Sequence, residues 1–239
     1  MQKILTSIAI AASLISTQVV LSQTPAPFTD LPTFEAKLKQ AGAHAQILDA
    51  RSAEEFQLNH LKGAIQLNVG NEDEVVALAN KLDKKKPVFI YGINNGRSTT
   101  LANKLRELQF SEVLELKGGL SKWIGAGKPV ESTVGKGLTF AGYLQKIKSD
   151  KLVLVDIHNK YCGSCKKLSP IVDSLASEKP GSIQVVKIDL FDNKELGTPL
   201  QINCVPTLLL YKGDKIVWRK DGFAPKAEIQ AEIDKAGHL

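Results

Sequence analysis

Residues 125–137 read Gly-Ala-Gly-Lys-Pro-Val-Glu-Ser-Thr-Val-Gly-Lys-Gly, with four glycines, one proline and little apolar content. Such a stretch supports neither a long helix nor a buried strand, so it divides the chain. On each side of it, short apolar runs alternate with segments of helical spacing. In the first half, residues 45–49, 64–69, 88–91 and 113–116 read as strands. Segments 52–58, 72–82 and 98–108 read as helices, with Val75, Val76, Leu78, Ala79 and Leu82 on one face of the second. Strands alternating with helices predict a parallel α/β sheet. The second half restarts with a helix over 139–148 and a strand over 152–157. A helix opening near Cys162, a strand over 183–188 and a helix near 194–200 follow. The end reads as a strand over 207–211, a Lys212-Gly213-Asp214-Lys215 hairpin turn, a strand over 216–219 and a helix from Pro225. The 239 residues therefore suit two small α/β domains.

Met1-Gln2-Lys3 gives a short basic start, and residues 4–21 carry no charge. Thr6, Ser7, Ser13, Ser16, Thr17 and Gln18 make that run too polar for a good permanent span. Val20 and Ser22 are the small residues ahead of a cut at Gln23. This three-part design predicts an export signal, with a membrane anchor as the alternative. The mature protein is expected to be periplasmic or secreted, with no stable membrane insertion after cleavage. The net charge is +6, and its longest basic run, Lys84-Lys85-Lys86, lies beside a turn. No basic stripe points to nucleic acid. Hydrophobic residues at 43% and charged residues at 23% exclude a disordered or collagen-like chain.

The three cysteines are Cys162, Cys165 and Cys204, an odd count that is no simple disulfide framework. Cys162-Gly163-Ser164-Cys165 follows a strand and opens a helix. The free N–H groups and positive end of a helix stabilise a thiolate, which lowers the pKa of the first cysteine. Two intervening residues bring the sulfurs within disulfide reach. Cys162 is then the attacking nucleophile and Cys165 the resolver of a mixed disulfide. With His158 the cysteines form a formal zinc set. The spacing matches no compact finger, however, and the helical dithiol already accounts for two members. No metal and no organic cofactor are expected.

Four further features accompany the dithiol. Asp156 lies six residues before Cys162, Pro170 five after Cys165, and Lys187 nineteen before Pro206 in Val205-Pro206-Thr207. Together they make residues 138–236 resemble the thioredoxin family. The resemblance implies a thioredoxin fold in which Asp156 is a buried acid that moves a proton for Cys165 and Lys187 is its partner. It implies a cis Pro206 facing the dithiol, and Tyr161, Val205 and Pro206 at the substrate, with the Val205 main chain pairing the bound peptide. It also implies protein thiols and disulfides as substrates, and an upstream redox partner that resets the dithiol. Tyr161 replaces the family's usual Trp, and Ser164 its usual Pro, which puts a hydroxyl near the sulfur. On the residues alone, Asp156 also reads as a plain structural acid, Lys187 as surface charge and Cys204 as a small loop residue.

The first half carries Asp49-Ala50-Arg51, Glu54-Glu55-Phe56 and His60-Leu61-Lys62-Gly63-Ala64. Later come Val88-Phe89-Ile90-Tyr91-Gly92-Ile93-Asn94-Asn95-Gly96-Arg97-Ser98, then Gly118-Gly119 and Trp123. Over residues 30–130 these segments resemble a rhodanese-like domain, an α/β/α parallel sheet. In that family a cysteine directly follows the strand and carries sulfur as a persulfide. The matching position is Gly92, and no cysteine occurs in residues 1–161. Without a thiolate there is no persulfide, so sulfur transfer by this domain is not expected. What remains is an amide cradle with Gly92, Gly96 and Arg97, which suits an anion or serves only as scaffold. Asp49 and Arg51 read as structural.

The expected organisation is a signal peptide over 1–22, a rhodanese-like domain over 23–130, a linker over 131–137 and a thioredoxin-like domain over 138–239. The expected activity is thiol–disulfide exchange with protein substrates. The alternatives are a binding or adaptor protein that uses the inactive first domain for partner or anion recognition, and a relay in which Cys162 receives sulfur.

Overall fold

The computed structural model describes residues 28–238, so the expected signal peptide lies outside the described residues. Asp30 caps α1 (Leu31–Ala41) by accepting the Thr33 N–H, and Pro32 falls in the first turn, where a missing N–H costs nothing. There follow β1 (Gln46–Asp49), α2 (Ala53–Leu58), β2 (Asn59–His60), β3 (Ala64–Gln66) and α3 (Glu72–Ala79). The first domain continues with β4 (Val88–Tyr91), α4 (Arg97–Glu107), β5 (Val113–Glu115) and α5 (Gly119–Gly125). Its four-stranded sheet is parallel throughout, in the order β3-β1-β4-β5. Every residue of β4 is buried, as a central parallel strand covered on both faces requires. Leu48 and Ile90 pack with Val75 and Leu101 from α3 and α4 on one face. Ile47, Phe89 and Tyr91 pack with Phe34 and Trp123 from α1 and α5 on the other. The domain is the expected α/β/α sandwich.

The second part comprises β6 (Glu131–Ser132), α6 (Phe140–Lys146), β7 (Leu152–His158), α7 (Gly163–Glu178) and β8 (Ile183–Asp189). It ends with β9 (Thr207–Lys212), β10 (Lys215–Asp221) and α8 (Lys226–Gly237). The sheet order is β10-β9-β7-β8, with β7 and β8 parallel and β9 antiparallel to both β7 and β10. Leu154, Leu208 and Leu210 pack under Leu168 and Val172 of α7 and Ile229 and Ile233 of α8. The helix expected near 194–200 is a single 3₁₀ turn, Lys194–Leu196.

The other face of this sheet does not meet solvent. Val153, Val155, Ile157 and Leu209 belong to one apolar cluster with Leu120, Trp123 and Ile124 of the first domain. Glycines let the two backbones touch there. A Cβ on Gly125 would stand 1.8 Å from the Ile202 carbonyl oxygen, and one on Gly197 would stand 2.7 Å from that of Ile124. The segment between the domains is likewise held down. β6 pairs antiparallel with β2, and the Lys194 ammonium donates to the Val134 and Gly135 carbonyls at 3.1 and 2.9 Å. This continuity of packing is what brings two loops, one from each domain, face to face.

Candidate active site

Cys162 is itself the N-cap of α7, in an extended backbone conformation that lets its sulfur accept the Cys165 N–H at 3.4 Å. The Ser164 hydroxyl lies 3.1 Å from the same sulfur. The thiol of Cys165 lowers the Cys162 pKa most; the Ser164 hydroxyl and the N–H groups of Cys165 and Ser164 add to this, while burial opposes it. The result is a pKa of about 6, against about 8.5 for an ordinary thiol. Cys165 moves the other way, raised by its bond to Cys162 and by burial, with the Asp156 charge adding to both. Both cysteines are free thiols, each only 4% exposed. The pair is thus poised as one thiolate and one protonated thiol.

Asp156, on β7, is 1% exposed, and among the described residues its Oδ1 has no hydrogen-bond partner. Burial raises its pKa, against the pull of His158 and Lys187. Lys187 stands beside Asp156 in the β7–β8 register but does not pair with it. Its ammonium goes to Asp173 at 2.6 Å and to the Ser169 hydroxyl at 2.8 Å. This corrects the expected partnership. A flexible stem carries the ammonium outward to a solvated carboxylate, which spares both charges the cost of full burial.

The Val205–Pro206 peptide is cis, and the Cys162 thiol lies 3.5 Å from the Val205 carbonyl oxygen. Tyr161 extends across the domain boundary, where its hydroxyl donates to Glu54 of α2 at 2.6 Å. Cys204 is half-buried, with a pKa raised by burial. Among the described residues no group of three or more His, Cys, Asp or Glu is placed to hold a metal ion.

The first-domain loop is rigidly held against this site. The Leu120 and Ser121 N–H groups at the start of α5 donate to the Gly92 and Ile93 carbonyls at 2.8 and 2.9 Å. Asn95 donates to Glu115 and accepts the Gly118 N–H. Gly96 has φ +108, a conformation that side chains resist. Arg97 does not reach into the loop. Its guanidinium grips Glu55 with two bonds of 2.7 and 2.8 Å, so the expected anion trio of Gly92, Gly96 and Arg97 has its cation already engaged. Glu55 is buried, yet Arg97 and the Ser52 N–H hold its carboxyl below the usual range. Asp49 and Arg51 form a fully buried ion pair that ties the end of β1 to the Asn59 carbonyl.

A cavity of about 480 Å³ lies between the two loops, walled by residues 92–95 and Arg97 on one side and 161–164 on the other. Asn94 crosses it. Its Oδ1 accepts the Val205 N–H at 3.3 Å, its Nδ2 donates to the Val205 carbonyl, and the same Nδ2 is 4.0 Å from the Cys162 sulfur. Sequence reasoning missed Asn94 and Glu54. An Asn in a polar loop signals only a turn, and nothing local to either residue points to a partner 68 or more positions away.

The Thioredoxin family model matches residues 134–235, and the model for the rhodanese-like domain matches residues 31–126. That order is the one expected from the sequence. A thioredoxin of Alicyclobacillus acidocaldarius is 33% identical over 96 residues, 40% of this chain and 91% of its own length. One of Porphyra purpurea is 36% identical over 99 residues, 41% of this chain and 92% of its own length. A rhodanese-like domain of Anabaena sp., solved by NMR, is 30% identical with a TM-score of 0.39, covering 44% of this chain and 79% of that one.

Proposed function

Because the chain belongs to the thioredoxin family, with a rhodanese-like domain ahead of its redox domain, it is a thiol–disulfide oxidoreductase at family level, and we propose that exchange runs through Cys162 and Cys165. The observation that carries this reading is the asymmetry of the pair: Cys162 caps α7 and accepts the Cys165 N–H, which lowers its pKa, while the Cys165 thiol is held above the ordinary range. The Cys162 thiolate attacks one sulfur of a substrate disulfide and expels the other as a thiolate. Cys165 loses its proton and attacks the Cys162 sulfur, which releases the second substrate thiolate. The substrate gains two electrons, and the protein is left with a Cys162–Cys165 disulfide. In this reading Asp156 takes the Cys165 proton, supported by its raised pKa, which makes a buried carboxylate a stronger base than a solvated one, and by its charge acting on Cys165. A dithiol redox partner must then return two electrons to the pair.

In this reading the first domain transfers no sulfur, because Gly92 offers no nucleophile. Residues 1–22 act as an export signal, so the substrates are protein thiols and disulfides outside the cytoplasm. The test is oxidation of the reduced full-length protein by a disulfide, followed by alkylation of the remaining thiols and mass spectrometry. Loss of both thiols from Cys162 and Cys165 is expected, with none in Cys162→Ser; oxidation surviving that substitution contradicts the reading. An exported product whose first residue is Gln23 checks the signal.

A further inference from the structure

Val205 sits two residues before β9, where a main-chain N–H and C=O next to a strand offer one rung of pairing to an added chain. Asn94 makes both bonds of that rung, its carboxamide oxygen accepting and its NH₂ donating. A primary carboxamide has the same acceptor and donor as a peptide unit, so Asn94 stands where the main chain of an extended polypeptide would pair. The placement also covers the nucleophile, since Asn94 is within 4.0 Å of the Cys162 sulfur and Cys162 is 4% exposed. The open approach to that sulfur is the interdomain cavity, whose volume of about 480 Å³ suits a small molecule.

We propose that Asn94 is a specificity-determining residue: small disulfides reach Cys162 through the cavity, whereas a polypeptide disulfide must first displace the Asn94 carboxamide from the Val205 main chain. This rests on the reading of Cys162 as the exchange nucleophile. A small disulfide has no peptide rung to form and leaves the clamp in place. A polypeptide replaces the two bonds with its own, after the carboxamide has let go. Leaving Val205 unpaired in a buried site is costly, so the carboxamide is a real competitor.

The experiment measures second-order rate constants for oxidation of the reduced full-length protein by insulin and by hydroxyethyl disulfide, read by quenched alkylation. Asn94→Ala removes both bonds. The ratio of the insulin rate to the hydroxyethyl disulfide rate is expected to rise about tenfold, the scale of one or two amide hydrogen bonds. Asn94→Ser, too short to span both groups, is expected to shift the ratio the same way and keeps the test open if the alanine variant folds poorly. An unchanged ratio, or two rates that rise in parallel, overturns the inference while leaving the proposed function standing. No oxidation of the unmodified protein by either disulfide overturns both.

Discussion

Gly92 and Cys162 occupy corresponding stations in two α/β units, each between a buried strand and the helix that follows it. Behind Gly92 stand β4 and α4; behind Cys162 stand β7 and α7. Both loops are braced by hydrogen bonds and both border the same cavity. The second loop places a sulfur where helix-start N–H groups stabilise its negative charge. The first places no side chain there, and its nearby arginine is spent on Glu55. The contrast teaches that a scaffold alone does no chemistry. In the proposed reading, the loop with Gly92 in place of a thiol serves as one wall of its neighbour's site.

The sharpest way to break this comparison is to give the first loop a thiol. A Cβ at Gly92 would lie 3.2 Å from the Asn94 carbonyl oxygen and 3.3 Å from the Ser98 hydroxyl, a tight fit that small shifts can relieve. In a background of Cys162→Ser, Cys165→Ser and Cys204→Ser, which leaves no thiol in the chain, the protein is expected to make no thiocyanate from thiosulfate and cyanide. Adding Gly92→Cys should produce measurable turnover, weak because Glu55 holds Arg97. Turnover in the parent would show that the first domain carries a nucleophile other than the one its sequence lacks.

A smaller effect is expected from Asp156→Asn. Proton removal from Cys165 loses its base, so resolution of a mixed disulfide should slow about 10²-fold, while attack by Cys162 changes far less. Stability moves in the opposite sense. The folded-state pKa of Asp156 is raised, so folding is favoured below its unfolded value and that advantage is lost as pH climbs through the folded value. The variant should therefore be more stable at pH 7, because Asn carries no charge for burial to oppose. Below about pH 4 both forms are neutral and the gain should vanish. Denaturant unfolding at the two pH values measures it, and equal stability at pH 7 contradicts the buried-charge account.

Ser164→Pro probes the finest difference between the two loops, the hydroxyl that lies 3.1 Å from the Cys162 sulfur. Proline removes both that hydroxyl and the Ser164 N–H, two of the groups that lower the Cys162 pKa. A less stable thiolate disfavours the reduced pair, so the couple should become more negative by tens of millivolts, with about 30 mV equal to a tenfold change in K for two electrons. Equilibration with glutathione buffers reads the shift. An unchanged or more positive potential means that Ser164 does not set the poise.

What the sequence disclosed follows from the range of the forces involved. Strands β4 and β7 were legible because unbroken apolar runs mark central strands, and the α7 start was legible because its dithiol follows such a run. The helix α5 was not. Gly118 and Gly119 lead into it with φ of +78 and +55, and only burial of Leu120, Trp123 and Ile124 against both domains makes the helix worthwhile. Residues 125–137 read as a boundary, yet the glycines there permit the closest backbone contacts between the halves. The same composition signals flexibility in one context and contact in another. The resemblance made Lys187 the partner of Asp156, and the two are Cα neighbours in the strand register, but register does not fix where a long side chain ends. Asn94 acts entirely through tertiary packing, which leaves no periodic trace in its own segment.

The central claim is that Cys162 attacks and Cys165 resolves, and Cys165→Ser tests it most directly. With the resolver gone, a disulfide substrate should remain covalently attached, and peptide mapping should find it on Cys162. Its formation should follow the thiolate, with a midpoint at about pH 6. Attachment to Cys204 instead, or a midpoint near that of an ordinary thiol at about 8.5, would contradict the account.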